Sequence, residues 1–401
     1  MSEHLMDEQG VREAVAKARR VVVKVGSSSL ASAKGGLNMT ALNALVDVLA
    51  GERLARREII LVTSGAIAAG CEPLGFVRRP ADLAQQQAAA AVGQGLLIAR
   101  YTESFARHGL TVAQVLLSVG DIAHRTSYTN ALRTFGALTR LGVVPVVNEN
   151  GTVATREIRF GDNDRLAALV SELVRAQALV LLSDVDALYT HRPDVPGAQR
   201  IGFVPRVADI DADITQGGTS GVGSGGMASK IQAAGMAAAA GIPVVLTACG
   251  QVDSALTGGP VGTVFAPSQT HRPRRLLWLA DASVAQGRLY VDAGAVKALT
   301  TTPASLLAAG IRRVEGNFDA GDPVEIVAPD GRVVARGLVA FPADELPAML
   351  GRSTSDLVAS LGEHFGHEVV HRDDLVLADR RHSRPQKDAA APGSPVLDVP
   401  S

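Results

Sequence analysis

The first strand pattern of the chain reads Arg19-Arg20-Val21-Val22-Val23-Lys24-Val25-Gly26. Its apolar residues are continuous and β-branched rather than alternating, which is typical of a parallel strand that is covered on both faces. A glycine and three serines follow at once, so the strand runs into a loop of small residues. Strand and helix patterns then alternate as far as Ala266. This rhythm predicts an α/β fold, with an open, mostly parallel sheet sandwiched by helices.

The other strand patterns are short runs rich in Val, Ile and Leu, at 58–63, 111–117, 142–147, 178–182 and 242–246. The helical patterns between them lie at 40–57, 81–109, 128–141, 166–176 and 227–240. We expect the second of these helices to break near Gly93 and Gly95, because glycine weakens a helix. An alternation of polar and apolar residues at 152–160 is typical of a hairpin.

The chain has 401 residues, which is enough for more than one domain. A Pro- and Arg-rich stretch at 267–275 interrupts the pattern, and short strands with turn signals occupy 287–341. We therefore expect a second, small, β-rich domain. The predicted divisions are an N-terminal extension at 1–18, the α/β domain at 19–266, a linker at 267–283, the β-rich domain at 284–365 and a largely disordered tail at 366–401.

Composition narrows the class of protein. Hydrophobic residues make up 47% of the chain, and its formal net charge is -1 at pH 7. A near-neutral chain is not built mainly to bind nucleic acid or a membrane surface. The two cysteines, Cys71 and Cys249, show neither metal-type spacing nor a disulfide framework. The N-terminus has no secretory signal pattern, and no apolar stretch is long enough to span a bilayer, so we expect a cytoplasmic protein.

A polar cluster, Gly161-Asp162-Asn163-Asp164, directly precedes a helical pattern. One of its side chains can cap the helix. A cap does not account for three polar residues in a row, and such a cluster can instead hold an ammonium group, a metal ion or a pair of lysines. The candidate lysine in the first strand, Lys24, needs a partner or a function if it is buried. For Lys24 alone, a side chain that extends to solvent at the strand end is the simpler interpretation.

A glycine-rich segment at 221–226 leads to Lys230 in the first turn of a helix. The segment matches G-x-G-x-x-G, but no strand precedes it and no acidic residue follows the next strand, so a dinucleotide site is not indicated. A flexible surface loop explains the glycines equally well. Together, Lys24, Lys230 and Asp164 suggest two cations around a transferring phosphoryl group, held apart by an anion.

Small polar residues also follow other predicted strands, at Ser64, Asn148 and Ser183-Asp184. In an open parallel sheet, ligands bind outside the carboxyl ends of the strands. Several of these strand ends precede helix N-termini, which attract anions. The sequence therefore predicts a phosphate or carboxylate site at this edge of the sheet.

Five blocks, in this order, resemble the signature blocks of the glutamate 5-kinases, which belong to the amino-acid kinase family. They read Lys24-Val-Gly-Ser-Ser, Val62-Thr63-Ser64-Gly65-Ala66-Ile67-Ala68-Ala69-Gly70, Asn148-Glu149-Asn150, Gly161-Asp162-Asn163-Asp164 and Gly223-Ser-Gly-Gly-Met-Ala-Ser-Lys230. Three later stretches are similar to the PUA domain that many bacterial members carry. These read Gly287-Arg-Leu-Tyr-Val-Asp-Ala-Gly-Ala-Val-Lys-Ala-Leu299, Ser305-Leu-Leu-Ala-Ala-Gly-Ile311 and Gly316-Asn-Phe-Asp-Ala-Gly-Asp322.

The resemblance implies transfer of the ATP γ-phosphoryl group to the side-chain carboxylate of L-glutamate, the first step of proline synthesis, with proline as an inhibitor. It also implies a homo-oligomer, and Mg²⁺ that accompanies ATP without direct protein ligands. The implied catalytic residues are Lys24, Asp164 and Lys230. The implied glutamate-binding residues are Ser64, Asn148, Asp162 and Asn163. The implied ATP-binding residues are Lys24, Ser183, Asp184, Ser224, Gly225, Gly226, Met227, Ala228, Ser229 and Lys230.

The chain departs from this family at Gly151, where the glutamate 5-kinases typically have an aspartate that contacts the amino group of glutamate. A lost charge-assisted contact costs about 1.5–3 kcal/mol. We therefore expect weaker glutamate binding, altered proline control or a related substrate, with Asp162 as the compensating carboxylate.

Two alternatives stay open. The first is another kinase of this family, acting on acetylglutamate, aspartate, carbamate or a nucleoside monophosphate; the stretch at 64–70 and the PUA-like domain weigh against it. The second is an RNA-binding or regulatory protein that uses the PUA-like domain. The intact Lys24, Asp164 and Lys230, and a PUA-like region that is not notably basic, weigh against the second alternative.

Overall fold

A computed structural model describes residues 6–30, 36–118, 121–122, 125–151, 163–191, 195–210, 226–268, 285–302 and 304–378. The chain divides into two compact units, Met1–Asp281 and Ala282–Ser401. The predicted hairpin at 152–160 lies outside the described residues, as do Asp162, Ser224 and Gly225.

The strands of the first unit are β1 (Arg20–Val25), β2 (Glu58–Val62), β3 (Val112–Leu117), β4 (Val144–Glu149), β5 (Ala178–Ser183), β6 (Leu188–Tyr189), β7 (Arg200–Ile201), β8 (Phe203–Val204), β9 (Val244–Ala248) and β10 (Thr263–Phe265). Eight of them form one sheet in the order β3-β4-β2-β1-β5-β9-β10-β8. Its described neighbours pair in parallel except β9 with β10. The prediction of a mostly parallel sheet is confirmed.

The helices of this unit are α1 (Glu8–Lys17), α2 (Ser27–Leu30), α3 (Met39–Leu54), α4 (Ala66–Cys71), α5 (Leu83–Ala106), α6 (Arg125–Arg140), α7 (Asn163–Leu173), α8 (Met227–Ala239) and α9 (Val252–Leu256). The central strands are covered by them: β1 is buried from Val21 to Val25, and every residue of β5 is buried. Continuous apolar strands are expected where both faces are covered.

Helix α1 falls inside the predicted N-terminal extension, yet it packs on the core of the first unit. Val11 and Val15 are fully buried there. Arg12 donates hydrogen bonds to the carbonyl oxygens of Gly259 at 2.8 Å and Val261 at 2.7 Å, and it pairs with Glu8. The apolar spacing of these two valines is helical, so the helix forms where it can bury that face.

The predicted break in α5 is wrong, because the helix continues through Gly93 and Gly95. Gly93 lies where α5 crosses α4. A Cβ atom added to Gly93 would meet the Ala66 carbonyl oxygen at 1.8 Å, and one added to Gly70 would meet the Ala89 carbonyl oxygen at 1.9 Å. The two glycines therefore let two helix backbones touch, and packing outweighs the weak helix propensity of glycine.

The second unit contains β11 (Gly287–Val291), β12 (Ile311–Gly316), β13 (Pro323–Val327), β14 (Val333–Leu338), β15 (Leu375–Leu377), α10 (Ala293–Thr301) and α11 (Thr354–Leu361). Its strands form a separate sheet in the order β12-β11-β13-β14-β15, as predicted for a β-rich domain. The predicted tail begins too early. Val369 and Val370 are fully buried in the core of this unit, and β15 pairs with β14, so 366–378 belong to the fold.

No helix in the described part of the chain has both the length and the apolar character needed to cross a membrane.

Candidate active site

The central strand β1 places Lys24 at the carboxyl edge of the sheet. Lys24 pairs in register with Val62 of β2 on one side and Leu181 of β5 on the other. The segment after β2 lies beside the end of β4, because the Thr63 amide donates to the Val147 carbonyl oxygen at 2.9 Å. The edge of adjacent parallel strands is where an open α/β sheet binds its ligands.

Asp164 joins two lysines from distant parts of the chain. Lys24 Nζ lies 2.5 Å from Asp164 Oδ1, and Lys230 Nζ lies 3.2 Å from Asp164 Oδ2. Asp164 stands in the first turn of α7, and Lys230 stands in the first turn of α8. Each lysine thus takes a different oxygen of one carboxylate, which sets the distance and direction between the two ammonium groups.

All three groups are withdrawn from water: the exposed fraction of the side chain is 5% for Lys24, 3% for Asp164 and 9% for Lys230. Burial by itself raises the pKa of the Asp164 carboxyl. The charges of Lys24 and Lys230, with hydrogen bonds from Lys24 and Ser229, outweigh burial and lower that pKa to about 2. Asp164 is therefore an anion throughout the neutral range, and it keeps two ammonium groups close to each other.

Ser229 adds a third donor to this carboxylate. Its hydroxyl oxygen lies 3.0 Å from Asp164 Oδ2 and 3.0 Å from the Gly226 carbonyl oxygen. Since Gly226 precedes α8, the serine ties the start of that helix to Asp164. The N-terminus of α8 has no side-chain cap, so its backbone N–H groups are oriented to receive an anion.

Three polar side chains form a second cluster beside the lysines. Asn163 Nδ2 lies 2.9 Å from the Thr63 carbonyl oxygen, 2.8 Å from Ser64 Oγ and 3.1 Å from Asn148 Oδ1. Because a main-chain carbonyl can only accept, the amide of Asn163 must direct its nitrogen to that side. Asn163 Oδ1 is buried and has no hydrogen-bond partner among the residues that the structure describes. The cluster therefore presents an acceptor that a bound donor can satisfy.

Glycine geometry sets the position of Ser64. Gly65 directly precedes α4 and has φ 105°, a backbone conformation that residues other than glycine rarely adopt. The chain consequently turns sharply after β2, and Ser64 stays next to Asn163. Ser64 accepts a hydrogen bond from Asn163 and retains its own hydroxyl hydrogen to donate to a ligand.

Two supporting contacts were not anticipated from the sequence. Asn148 Nδ2 donates to Gln94 Oε1 at 2.6 Å, and the fully buried Tyr101 hydroxyl lies 2.8 Å from Thr63 Oγ1. Burial raises the pKa of the Tyr101 hydroxyl, so it remains protonated and can donate. Gln94 and Tyr101 both lie in α5, whose sequence is a mixture of small, polar and apolar residues without a distinctive motif.

The structure brings together Lys24, Asp164, Ser229 and Lys230 in one cluster, and Ser64, Asn148 and Asn163 in another. Ser183 is buried at the end of β5 and donates to Asp184, which is exposed. Gly226, Met227 and Ala228 form the start of α8. No described group of three or more His, Cys, Asp or Glu side chains could hold a metal ion.

Comparisons with known proteins identify the family of the chain. The sequence model of the amino acid kinase family matches residues 19–248, and that of the PUA domain matches residues 287–361. A Streptomyces coelicolor protein named glutamate 5-kinase is 58% identical over 369 residues, which cover 92% of this chain and 99% of the relative. A Cutibacterium acnes protein of the same name is 55% identical over 374 residues, which cover 93% of this chain and 95% of the relative.

Among solved structures, a carbamate kinase from Giardia lamblia bound to AMP-PNP aligns with a TM-score of 0.46 at 16% identity, over 63% of this chain and all of that chain. The sequence relatives are far closer, and they extend over both units. The chain therefore belongs to the amino acid kinase family, among the glutamate 5-kinases that carry a PUA domain.

Proposed function

We propose that this enzyme transfers the γ-phosphoryl group of ATP to the side-chain carboxylate of L-glutamate, the first step of proline biosynthesis. The observation that carries the proposal is the buried Asp164 carboxylate, which holds Lys24 and Lys230 at the carboxyl edge of the sheet. The relatives named glutamate 5-kinase support the choice of substrate. They also weigh against the alternatives of another acceptor acid and of a protein that acts only by binding RNA.

The chemistry needs no general base. A glutamate side chain has a pKa of about 4.3 in water, so at neutral pH it is already an anionic nucleophile. One of its oxygens forms the new bond to the γ-phosphorus, the bond from that phosphorus to the β,γ-bridging oxygen breaks, and ADP leaves. The obstacle is the repulsion between a carboxylate and a polyphosphate, which positioned cations reduce.

We assign that task to Lys24 and Lys230. Both lie in a site with little water, where a cation stabilises a transferring phosphoryl group more strongly than it would in solution. Asp164, which accepts a hydrogen bond from Ser229, keeps the two ammonium groups in place. Because one carboxylate is shared by two ammonium groups, these three side chains together keep a positive charge. Such prearrangement avoids a reorganisation cost at the moment of transfer.

The second cluster is suited to bind the α-ammonium and α-carboxylate groups of glutamate. Ser64 can donate to a carboxylate, whereas Asn163 Oδ1 is a buried acceptor for an ammonium group. Asp162, which lies outside the described residues, is proposed as a further acceptor. We place ATP over Ser183, Asp184 and the start of α8, with the residues Ser224, Gly225, Gly226, Met227, Ala228 and Ser229 along its phosphates.

Mg²⁺ is proposed to accompany ATP. Phosphate oxygens are the hard donors that this ion prefers, and no described group of three acidic, His or Cys side chains offers a competing cage. When bound, the ion would neutralise phosphate charge. Inhibition by proline, a homo-oligomeric state and a cytoplasmic location remain parts of this proposal; the two free cysteines support the last of them. The proposed catalytic domain is residues 19–266 together with helix α1, and the proposed PUA-like domain begins at 284 and extends to 378.

A coupled assay of ADP release with glutamate, ATP and Mg²⁺, with and without proline, tests the function. We expect glutamate-dependent turnover in the wild type and a fall in kcat of about a thousandfold in Lys230→Ala, because one positioned charge in a phosphoryl site is lost. Substantial residual activity in Lys230→Ala would contradict the role of that lysine. Turnover of another carboxylate but not glutamate would overturn the choice of substrate.

A further inference from the structure

The amide of Asn148 is held from both ends. Its Nδ2 donates to Gln94 Oε1 at 2.6 Å, and its Oδ1 accepts from the Glu149 amide at 2.9 Å and from Asn163 Nδ2 at 3.1 Å. The Asn148 residue is 4% exposed. Buried amides need defined partners, so Gln94 is the side chain that fixes the nitrogen end of this group.

These contacts fix which end of each amide donates a hydrogen bond and which end accepts one. With its nitrogen turned to Gln94, Asn148 offers only its oxygen to Asn163. Asn163 turns its own nitrogen toward Asn148, Thr63 and Ser64, as the Thr63 carbonyl oxygen also requires, and its oxygen is left as a buried acceptor. If Asn148 rotated, two amide nitrogens would face each other, and the hydrogen bond that joins Asn148 to Asn163 would be lost.

Backbone packing explains why Gln94 reaches this position. The residue before it, Gly93, lies against α4, where an added Cβ atom would be 1.8 Å from the Ala66 carbonyl oxygen. Helix α4 begins directly after Ser64 and Gly65. The close crossing of the two helices thus brings a side chain of α5 to the end of β4, where Asn148 stands.

We propose that Gln94 is a positioning residue for the amino-acid substrate: it orients Asn148, and Asn148 acts with the Thr63 carbonyl oxygen to hold the acceptor of Asn163 and the donor of Ser64 in place. This role rests on the proposed function. An amino acid carries an ammonium donor and a carboxylate acceptor, so a site with one buried acceptor and one hydroxyl donor has complementary polarity. Gln94 itself need not touch the substrate, and it lies outside the cluster of Lys24, Asp164 and Lys230, which would meet ATP.

The test compares Gln94→Met, which keeps the length of the side chain and removes its acceptor, with Gln94→Glu, which keeps an acceptor oxygen. Gln85→Met is the matched control, since Gln85 is an exposed residue of the same helix. We expect the glutamate KM to rise about tenfold in Gln94→Met, the effect of one buried hydrogen bond, and to stay within about threefold in Gln94→Glu. The ATP KM should be unchanged in all three variants.

A second arm asks whether Gln94 acts through Asn148. In the Asn148→Ala background, Gln94→Met should raise the glutamate KM by less than about twofold, because coupled residues are not additive. Equal glutamate KM values in Gln94→Met and the wild type would overturn the proposal, as would equal rises in the KM for glutamate and for ATP. A wild type inactive on glutamate would overturn the proposed function and this role with it. If the wild type is active, the Gln94 variants test the positioning role separately from the function.

Discussion

At the scale of single residues, Asp164 is a buried carboxylate that forms two ion pairs. It is the shared partner of two lysines that are almost as buried as it is. Removing the carboxylate takes an ion-pair partner from two buried ammonium groups at once, in a poorly solvated place. Stability and the proposed phosphoryl-transfer geometry therefore depend on the same side chain.

We predict that Asp164→Asn lowers the free energy of unfolding by about 3 kcal/mol at pH 7, because it leaves two buried ammonium groups without their anion. The measurement is urea denaturation. The matched control is Glu103→Gln, which removes an exposed ion pair with Arg100 and should cost less than about 1 kcal/mol. Equal losses in the two variants would contradict the prediction.

The difference in the free energy of unfolding between the wild type and Asp164→Asn should depend on pH in a definite direction. The pKa of Asp164 falls from an ordinary value of 3.8 to about 2 in the folded protein. A carboxyl whose pKa is lowered by folding stabilises the fold when the pH is above its pKa in the unfolded chain. That contribution disappears as the pH falls toward its pKa in the folded protein. The gap between wild type and Asp164→Asn should therefore be constant from pH 7 to pH 5 and should narrow below pH 3.8. A gap that narrows already between pH 7 and pH 5 would assign the effect to another group.

Gly151 follows the end of β4, two residues after Glu149, and its amide donates to the Glu149 carbonyl oxygen at 2.9 Å. We predict that Gly151→Asp lowers the glutamate KM about tenfold, because it adds a carboxylate for the substrate ammonium. Gly151→Asn, which has the same shape and no charge, is the control. An unchanged or higher glutamate KM in Gly151→Asp would refute the idea.

At the scale of elements, the crossing of α4 and α5 positions both Ser64 and Gln94. We predict that Gly93→Ala destabilises the fold by about 2 kcal/mol, since the added methyl group overlaps the Ala66 carbonyl oxygen. Gly95→Ala is the control on the same helix, because nothing lies within 4 Å of its added Cβ atom. That variant should gain about 0.5–1 kcal/mol from better helix propensity. Thermal unfolding measures both, and effects of the same sign would contradict this account.

Residues whose chemistry conflicts with their surroundings could be found from the sequence. A lysine among valines and a carboxylate at the start of an apolar helix both stand out, and the structure places Lys24 and Asp164 in contact. Gln94 gives no such signal, because a glutamine in a helix is ordinary and its partner is 54 positions away. The role of Gly93 also depends on a residue distant in the sequence. Local propensity predicts a helix break at Gly93, whereas the neighbouring helix shows that a glycine is needed there for close packing.

At the scale of the whole molecule, strand order decides which residues meet. Periodicity identifies buried strands, but it does not say that β1 lies between β2 and β5. That order brings the ends of separate strand–helix units to one edge, so Lys24, Asp164 and Lys230 converge from positions more than 200 residues apart in the chain. Residue patterns and the family resemblance both predict that these three residues act together, but the strand order that brings them to one edge comes from the structure.

Each unit has a core of its own, and this leads to a prediction for the whole chain. One apolar cluster runs from Val11 to Ala266 and the other from Leu289 to Val370, and every described candidate site residue lies in the first unit. A chain ending at Asp281 should therefore fold and keep kcat within about threefold of the full chain, because a domain with its own core can fold alone. Coupled assays and urea unfolding of the two chains measure this, with Lys230→Ala in the short chain as the inactive control. A short chain that folds cooperatively yet has lost glutamate turnover would show that the second unit takes part in the reaction.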